Sequence, residues 1–219
     1  MTKIKICGIT NLSDAISAAV AGVDMLGFNF YKPSPRSISP EKCAQITSSL
    51  AEEFPNITLV GVFVNLPIPQ VREIMKKCCL HLAQLHGDET PLMLAALKGS
   101  GYKAFRGIPA GSNLLEFTSL PSTYSPAFLL DASVQGLYGG SGVTANWAAA
   151  TTLAKQFPIL LAGGLKPENV SGALAQVAPW GVDTASGVEI RPGEKDARKI
   201  EAFVKAVRSF DMEITGLEK

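Results

Sequence analysis

The sequence predicts a (β/α)₈ barrel, and three observations carry that prediction. Short apolar or β-branched runs recur along all 219 residues, about eight of them, and each is followed by a helix-like segment. Alternating βα units imply a parallel sheet. Runs such as FLLDA and ILLAGG are apolar on both faces, as strands between a barrel interior and an outer layer of helices must be. A doubly wound open sheet is the alternative, and the strand count argues against it. No linker, charge run or low-complexity segment divides the chain, so residues 1–219 are expected to form one barrel domain, with a polar tail after Phe210.

The first strand is expected over residues 3–7, KIKIC. Ile4 and Ile6 lie on one face and Lys3 and Lys5 on the other, and Gly8 breaks the run after Cys7. The later strands are expected at residues 25–30, 59–64, 82–86, 102–108, 127–131, 158–162 and 181–185. Helix starts are marked by capping residues and early prolines. Ser13-Asp14 opens AISAAVAG, Ser39-Pro40 opens EKCAQITSSLAEEF, and Pro69 opens QVREIMKKCC. Thr90-Pro91 opens LMLAALKG, Lys166-Pro167 opens ENVSGALAQV, and Asp196 opens ARKIEAFVKAVRSF. Residues 112–120 and 146–157 carry weaker helical patterns.

The composition is that of a globular protein, 47% hydrophobic and 18% charged. Twenty Lys and Arg against 19 Asp and Glu leave a formal charge of +1 with no basic block, which argues against a nucleic-acid partner. No apolar run approaches the length of a membrane span, and the N-terminus lacks the apolar core of a signal peptide, so a cytoplasmic protein is expected. The four cysteines, Cys7, Cys43, Cys78 and Cys79, have neither zinc-ligand nor C-x-x-C spacing and read as reduced thiols. Trp147 and Trp180 fall outside the strand ends and read as packing residues.

In a (β/α)₈ barrel the active site lies at the C-terminal ends of the strands. The first end presents Cys7, which is either a reactive thiol or a buried small hydrophobe. The second presents Asn29 and the loop YKPSPRSISP. Its prolines lower the entropy cost of holding Arg36 against a carboxylate or phosphate; the alternative is a solvated surface arginine. The sixth ends on Asp131, after Phe128-Leu129-Leu130. A carboxylate closing an apolar run is partly desolvated, which favours its neutral, proton-donating form, unless it only caps the following turn. Gly139, Gly140 and Gly142 follow in a loop able to close over a ligand. The seventh and eighth strands lead into Gly163-Gly164 and Ser186-Gly187. Two glycine-bearing loops at these positions suit the backbone N–H groups of a phosphate site. His86, after the fourth strand, is a substrate contact or a structural histidine, and Asp183, in the eighth, is a further candidate. His81 and the remaining cysteines lie on or beside helices, away from the strand ends.

Taken together, KICGIT, GFNFYKPSPRSIS, VGVFVN, QLHGDE, FLLDA, GGSG, LAGGLKPENV and GVDTASGVE resemble the phosphoribosylanthranilate isomerase family of tryptophan biosynthesis almost end to end. The resemblance implies a cofactor-free, metal-free Amadori rearrangement of N-(5′-phosphoribosyl)anthranilate to 1-(2-carboxyphenylamino)-1-deoxyribulose 5-phosphate. It implies that Cys7 is the general base and Asp131 the general acid. Arg36 then meets the anthranilate carboxylate, while Gly163, Gly164, Ser186 and Gly187 bind the phosphate. The expected partner is that phosphorylated small molecule, and the expected assembly a monomer or weak homodimer. The chain departs from the family pattern at Val143, Ala145 and Asn146, where lysine, phenylalanine and aspartate are usual, and at Ala185, where serine is usual. The related isomerase of histidine biosynthesis calls for aspartate in place of Cys7. Indoleglycerol phosphate synthase needs a catalytic lysine at a strand end. A barrel that binds phosphorylated sugars without turnover is the reading from another class; Cys7, Asp131 and Arg36 together argue against it.

Overall fold

The computed structural model describes residues 1–109, 126–131 and 147–217. Eight parallel strands close on themselves in chain order: β1 (Lys3–Cys7), β2 (Met25–Asn29), β3 (Thr58–Phe63), β4 (Leu82–Leu85), β5 (Lys103–Pro109), β6 (Phe128–Asp131), β7 (Ile159–Ala162) and β8 (Gly181–Thr184). The ring closes where Ile4 pairs with Val182 and Ile6 with Thr184. All eight expected strands are present, within a residue or two of the expected bounds. The weak helical pattern at residues 112–120 and the loop glycines Gly139, Gly140 and Gly142 lie outside the described residues, as do Val143, Ala145 and Asn146.

Two apolar cores follow from the period-two alternation of the strands. Ile4, Ile6, Leu26, Phe28, Leu85, Ile108, Leu130 and Leu161 face outward and pack against the helices. Met25, Val60, Leu82, Phe105, Leu129 and Leu160 fill the interior, with Trp180 packed against them. The interior becomes polar toward the strand C-termini, where Lys5, Gln84 and Asp183 are buried. The apolar plug therefore supports a charged layer above it.

The described helices are α1 (Leu12–Val20), α2 (Pro40–Ala51), α3 (Ile68–Lys77), α4 (Pro91–Gly99), α5 (Trp147–Ala154), α6 (Val170–Val177) and α7 (Ala197–Leu217). Ser39 and Thr90 cap α2 and α4 as expected, each with proline at the first helical position. Asp196 accepts from the amides of Arg198 and Lys199 at the head of α7.

Three expectations need correction. The cap of α1 is Asn11, not Ser13: its Oδ1 accepts from the Asp14 amide, placing Asp14 in the first turn. Lys166-Pro167 does not open a helix directly. Asn169 bridges the Lys166 amide and the Gly164 carbonyl, holding a turn until Val170. No tail begins at Phe210, since α7 runs on to Leu217 and Asp211 anchors the Thr2 amide and hydroxyl. The four cysteines are free thiols. Cys43 and Cys78 are buried, and Cys79 is exposed in a left-handed conformation beyond α3.

Candidate active site

After β8 the chain makes a single 3₁₀ turn, Ser186–Val188, and then a short antiparallel pair, β9 (Glu189–Arg191) and β10 (Glu194–Lys195). This hairpin brings Glu189 and Lys195 behind the ends of β1 and β8. Lys195 is buried, and its Nζ donates to the carbonyls of Cys7 (2.6 Å) and Ala185 (3.1 Å) and to Glu189 Oε1 (2.9 Å). One ammonium thus fixes the end of β1, the start of the β8 loop and a carboxylate. Burial pulls the Lys195 pKa down, and Glu189 only partly restores it.

Glu189 in turn holds Arg36. Arg36 Nε and Nη2 donate to the two carboxylate oxygens at 2.8 and 2.7 Å, a bidentate fork, in a half-buried position. The pair uses the edge of the guanidinium formed by Nε and Nη2. Burial works to raise the Glu189 pKa, but Arg36 and Lys195 outweigh it and hold the carboxyl below the usual range. The Arg36 loop is also tied down locally, with Asn29 Nδ2 donating to Ser34 Oγ and the Arg36 amide donating to the same oxygen. Its stem lies over Gly8, where an added Cβ would come within 2.7 Å of Arg36 Cδ. Gly8 also has φ +79°, so glycine is required there twice over.

Cys7 is partly exposed at the end of β1. Two residues below it on the same face, Lys5 is completely buried, with Nζ 2.8 Å from Asp183 Oδ1 on β8. Desolvation would lower the Lys5 pKa, yet Asp183 and then Cys7 more than compensate and leave the ammonium favoured. Gly27 on β2 pairs with Cys7 and leaves room for both side chains: an added Cβ would stand 2.9 Å from Cys7 Sγ and 3.1 Å from Lys5 Nζ.

Across the barrel, His86 follows β4, and its Nδ1 lies 3.0 Å from Gln84 Nε2. Burial pushes its pKa down, against the neighbouring charge of Asp131, so the imidazole is neutral near pH 7. Gly107 makes space for the ring, since a Cβ there would stand 2.2 Å from Nδ1. Asp131 closes β6 in a partly exposed position, in register with Ala162 at the end of β7.

The loops after β7 and β8 interlock. Gly163 and Gly164 have φ of 100° and 68°. Thr184 Oγ1 donates to the Leu165 carbonyl at 2.6 Å, and a Cβ on Gly187 would stand 1.9 Å from that oxygen. Only glycine lets the two loops approach so closely.

Among the described residues, the candidates Cys7, Arg36, His86, Asp131, Gly163, Gly164, Asp183, Ser186 and Gly187 lie at or just inside the C-terminal mouth, while Gly139, Gly140 and Gly142 lie outside the described residues. His81 lies at the other end, its Nδ1 accepting from the Leu59 amide. Three residues of the network escaped the sequence reading. Lys5 carried a signal, because it shares a strand face with Cys7. Glu189 and Lys195 carried none, since their partners are set by the hairpin.

The family model for "N-(5'phosphoribosyl)anthranilate (PRA) isomerase" matches residues 4–206. The chain is 44% identical over 215 residues to the N-(5′-phosphoribosyl)anthranilate isomerase of Pelobacter propionicus, covering 98% of this chain and 100% of that one. It superposes on the crystal structure of phosphoribosyl anthranilate isomerase from Thermotoga maritima with a TM-score of 0.83 and 36% identity, over 95% of this chain and 100% of that one. A second isomerase structure holds reduced 1-(o-carboxyphenylamino)-1-deoxyribulose 5-phosphate. It matches with a TM-score of 0.79 and 34% identity, over 95% of this chain and 100% of that one.

Proposed function

The chain belongs to the N-(5′-phosphoribosyl)anthranilate isomerase family, and from that premise we propose that Cys7 and Asp131 are the general base and general acid of its reaction. The reaction is the Amadori isomerisation of N-(5′-phosphoribosyl)anthranilate in tryptophan biosynthesis. Asp131, in its neutral form, delivers a proton to the ribose ring oxygen as the C1′–O bond breaks and the anthranilate nitrogen forms the C=N bond. The Cys7 thiolate then removes the C2′ proton, giving an enolamine. The enolamine ketonises as the C2′ hydroxyl loses its proton and C1′ gains one. Each transfer needs a positioned side chain and nothing else.

The observation that carries this reading is the convergence of a thiol, a carboxylate, a forked guanidinium and two glycine loops on one mouth of the barrel. Arg36 meets the substrate carboxylate. Gly163, Gly164, Ser186 and Gly187 offer backbone N–H groups to the phosphate. His86 and Asp183 line the same interior as supporting groups.

The test is turnover in purified Cys7→Ser and Asp131→Asn, beside their affinity for a reduced product analogue. A serine hydroxyl is too weak an acid to serve as the base. Each variant is expected to lose roughly 10²–10⁴-fold in kcat while retaining most of the analogue affinity. Near wild-type turnover in Cys7→Ser would remove the thiolate from the mechanism.

Two coarser features belong to the same reading. We place the protein in the cytoplasm; no described helix is long and apolar enough to cross a membrane. We read its assembly as a monomer or weak homodimer: among the described residues, the large apolar side chains that are more than half exposed, Met1, Val20, Leu92, Ile190 and Met212, are spread over different parts of the chain. Sedimentation across a concentration series tests this.

A further inference from the structure

We propose that Lys5 is a positioning residue for the isomerisation: anchored on Asp183 beneath the barrel mouth, its ammonium holds the sulfur of Cys7 as the thiolate that removes the C2′ proton. The inference rests on Cys7 being the base, and it adds what keeps that base ionised.

A lysine with no exposed surface inside a barrel is costly unless its charge is used. Asp183 Oδ1, at 2.8 Å, satisfies only one of its three donors. The point where a Cβ on Gly27 would stand is 2.9 Å from Cys7 Sγ and 3.1 Å from Lys5 Nζ, so sulfur and nitrogen are at most 6.0 Å apart, the sum of those distances. The charge of Cys7, after that of Asp183, also favours the ammonium form of Lys5.

The other charges facing the sulfur are already engaged. Arg36, from the loop after β2, and Lys195, from β10, both feel the Cys7 charge, but Glu189 takes a fork from the first and a hydrogen bond from the second. Lys195 directs further bonds to the Cys7 and Ala185 carbonyls, not to the thiol. On the remaining sides, β2 presents Gly27 and β8 presents Asp183, which is the anchor of Lys5 itself. Lys5 is thus the cation aimed at the thiol from below, in a region where little water screens it.

The experiment reads the thiolate directly. Alkylation of Cys7 by iodoacetamide is followed across pH by peptide mass spectrometry, in wild type, in Lys5→Met, and in Lys5→Met/Asp183→Asn. The double variant removes both buried charges, so it keeps the test alive if an unpaired Asp183 prevents the single variant from folding. Exposed Cys79 in the same samples is the internal control. Loss of Lys5 is expected to slow Cys7 alkylation at neutral pH by about tenfold and move its onset to higher pH, with Cys79 unchanged. The same variants are expected to lose kcat while keeping analogue affinity. An unchanged Cys7 alkylation profile in a folded variant would overturn the role of Lys5. That result leaves the base assignment standing if Cys7→Ser is inactive; an active Cys7→Ser would remove the base, whatever the alkylation profile.

Discussion

Gly27 decides how much room the base has. It stands opposite Cys7, and a methyl group there would sit 2.9 Å from the sulfur and 3.1 Å from the Cys7 Cα. Gly27→Ala must therefore displace the thiol. A displacement near 1 Å costs about 100-fold in rate, so kcat is expected to fall by about that factor in a variant that still folds; unchanged turnover would show that the sulfur has slack. Arg36 is expected to be graded. Arg36→Lys keeps the charge but loses the Glu189 fork, so kcat/KM should fall clearly, though less than in Arg36→Ala. The residue scale is also where the sequence was most legible. Cys7, Asp131 and the glycine pairs stand at the ends of recognisable apolar runs. Lys5 was harder to read, because alternation puts it on one face with Cys7 but does not say which face is interior. In this barrel the isoleucine face meets the helices, and the lysine face meets the charged layer at the mouth.

At the scale of elements, the β9–β10 hairpin matters most. Through Lys195 and Glu189 it couples the end of β1, the β8 loop and Arg36. Lys195→Met would leave a buried carboxylate with one partner fewer and two carbonyls without that donor, which is expected to destabilise the fold by about 3–5 kcal/mol in urea unfolding. Glu189 makes stability depend on pH. Its folded pKa lies below the unfolded value of about 4.3, so its contribution is complete above that value and is lost as pH falls through the lower folded value. Between about pH 4 and pH 2, wild type should lose more unfolding free energy than Glu189→Gln; parallel curves would contradict the charge network. The hairpin was not legible in the sequence. VEIR alternates over only four residues before Pro192-Gly193, too short a run to mark a strand, and the groups that tie the hairpin to the barrel, Arg36, Asp14 and the Cys7 carbonyl, lie far away in the chain. The helices were legible wherever a cap and a proline coincided, as at Ser39 and Thr90. They were misread where Asn11 capped α1 two residues before Ser13, and where the Asn169 side chain held a turn ahead of Val170.

At the scale of the whole molecule, the sequence revealed a closed barrel because its apolar runs are short, evenly spaced and apolar on both faces. Closure then gathers strand ends that are remote in the chain, which is why motifs spread from Cys7 to Gly187 form one mouth. We read residues 1–219 as a single domain. Circular dichroism and tryptophan fluorescence should accordingly report one coincident unfolding transition, with two separated transitions contradicting it. The placement of substrate in the mouth is the claim on which the rest depends. The most direct measurement is a crystal structure of this protein with the reduced product analogue bound. The expected complex has C2′ about 3–3.5 Å from the Cys7 sulfur and Asp131 on the side of the former ring oxygen. The carboxylate should lie on Arg36, and the phosphate between Gly163-Gly164 and Ser186-Gly187. An analogue bound with its phosphate at Arg36, or with C2′ out of reach of Cys7, would contradict the account.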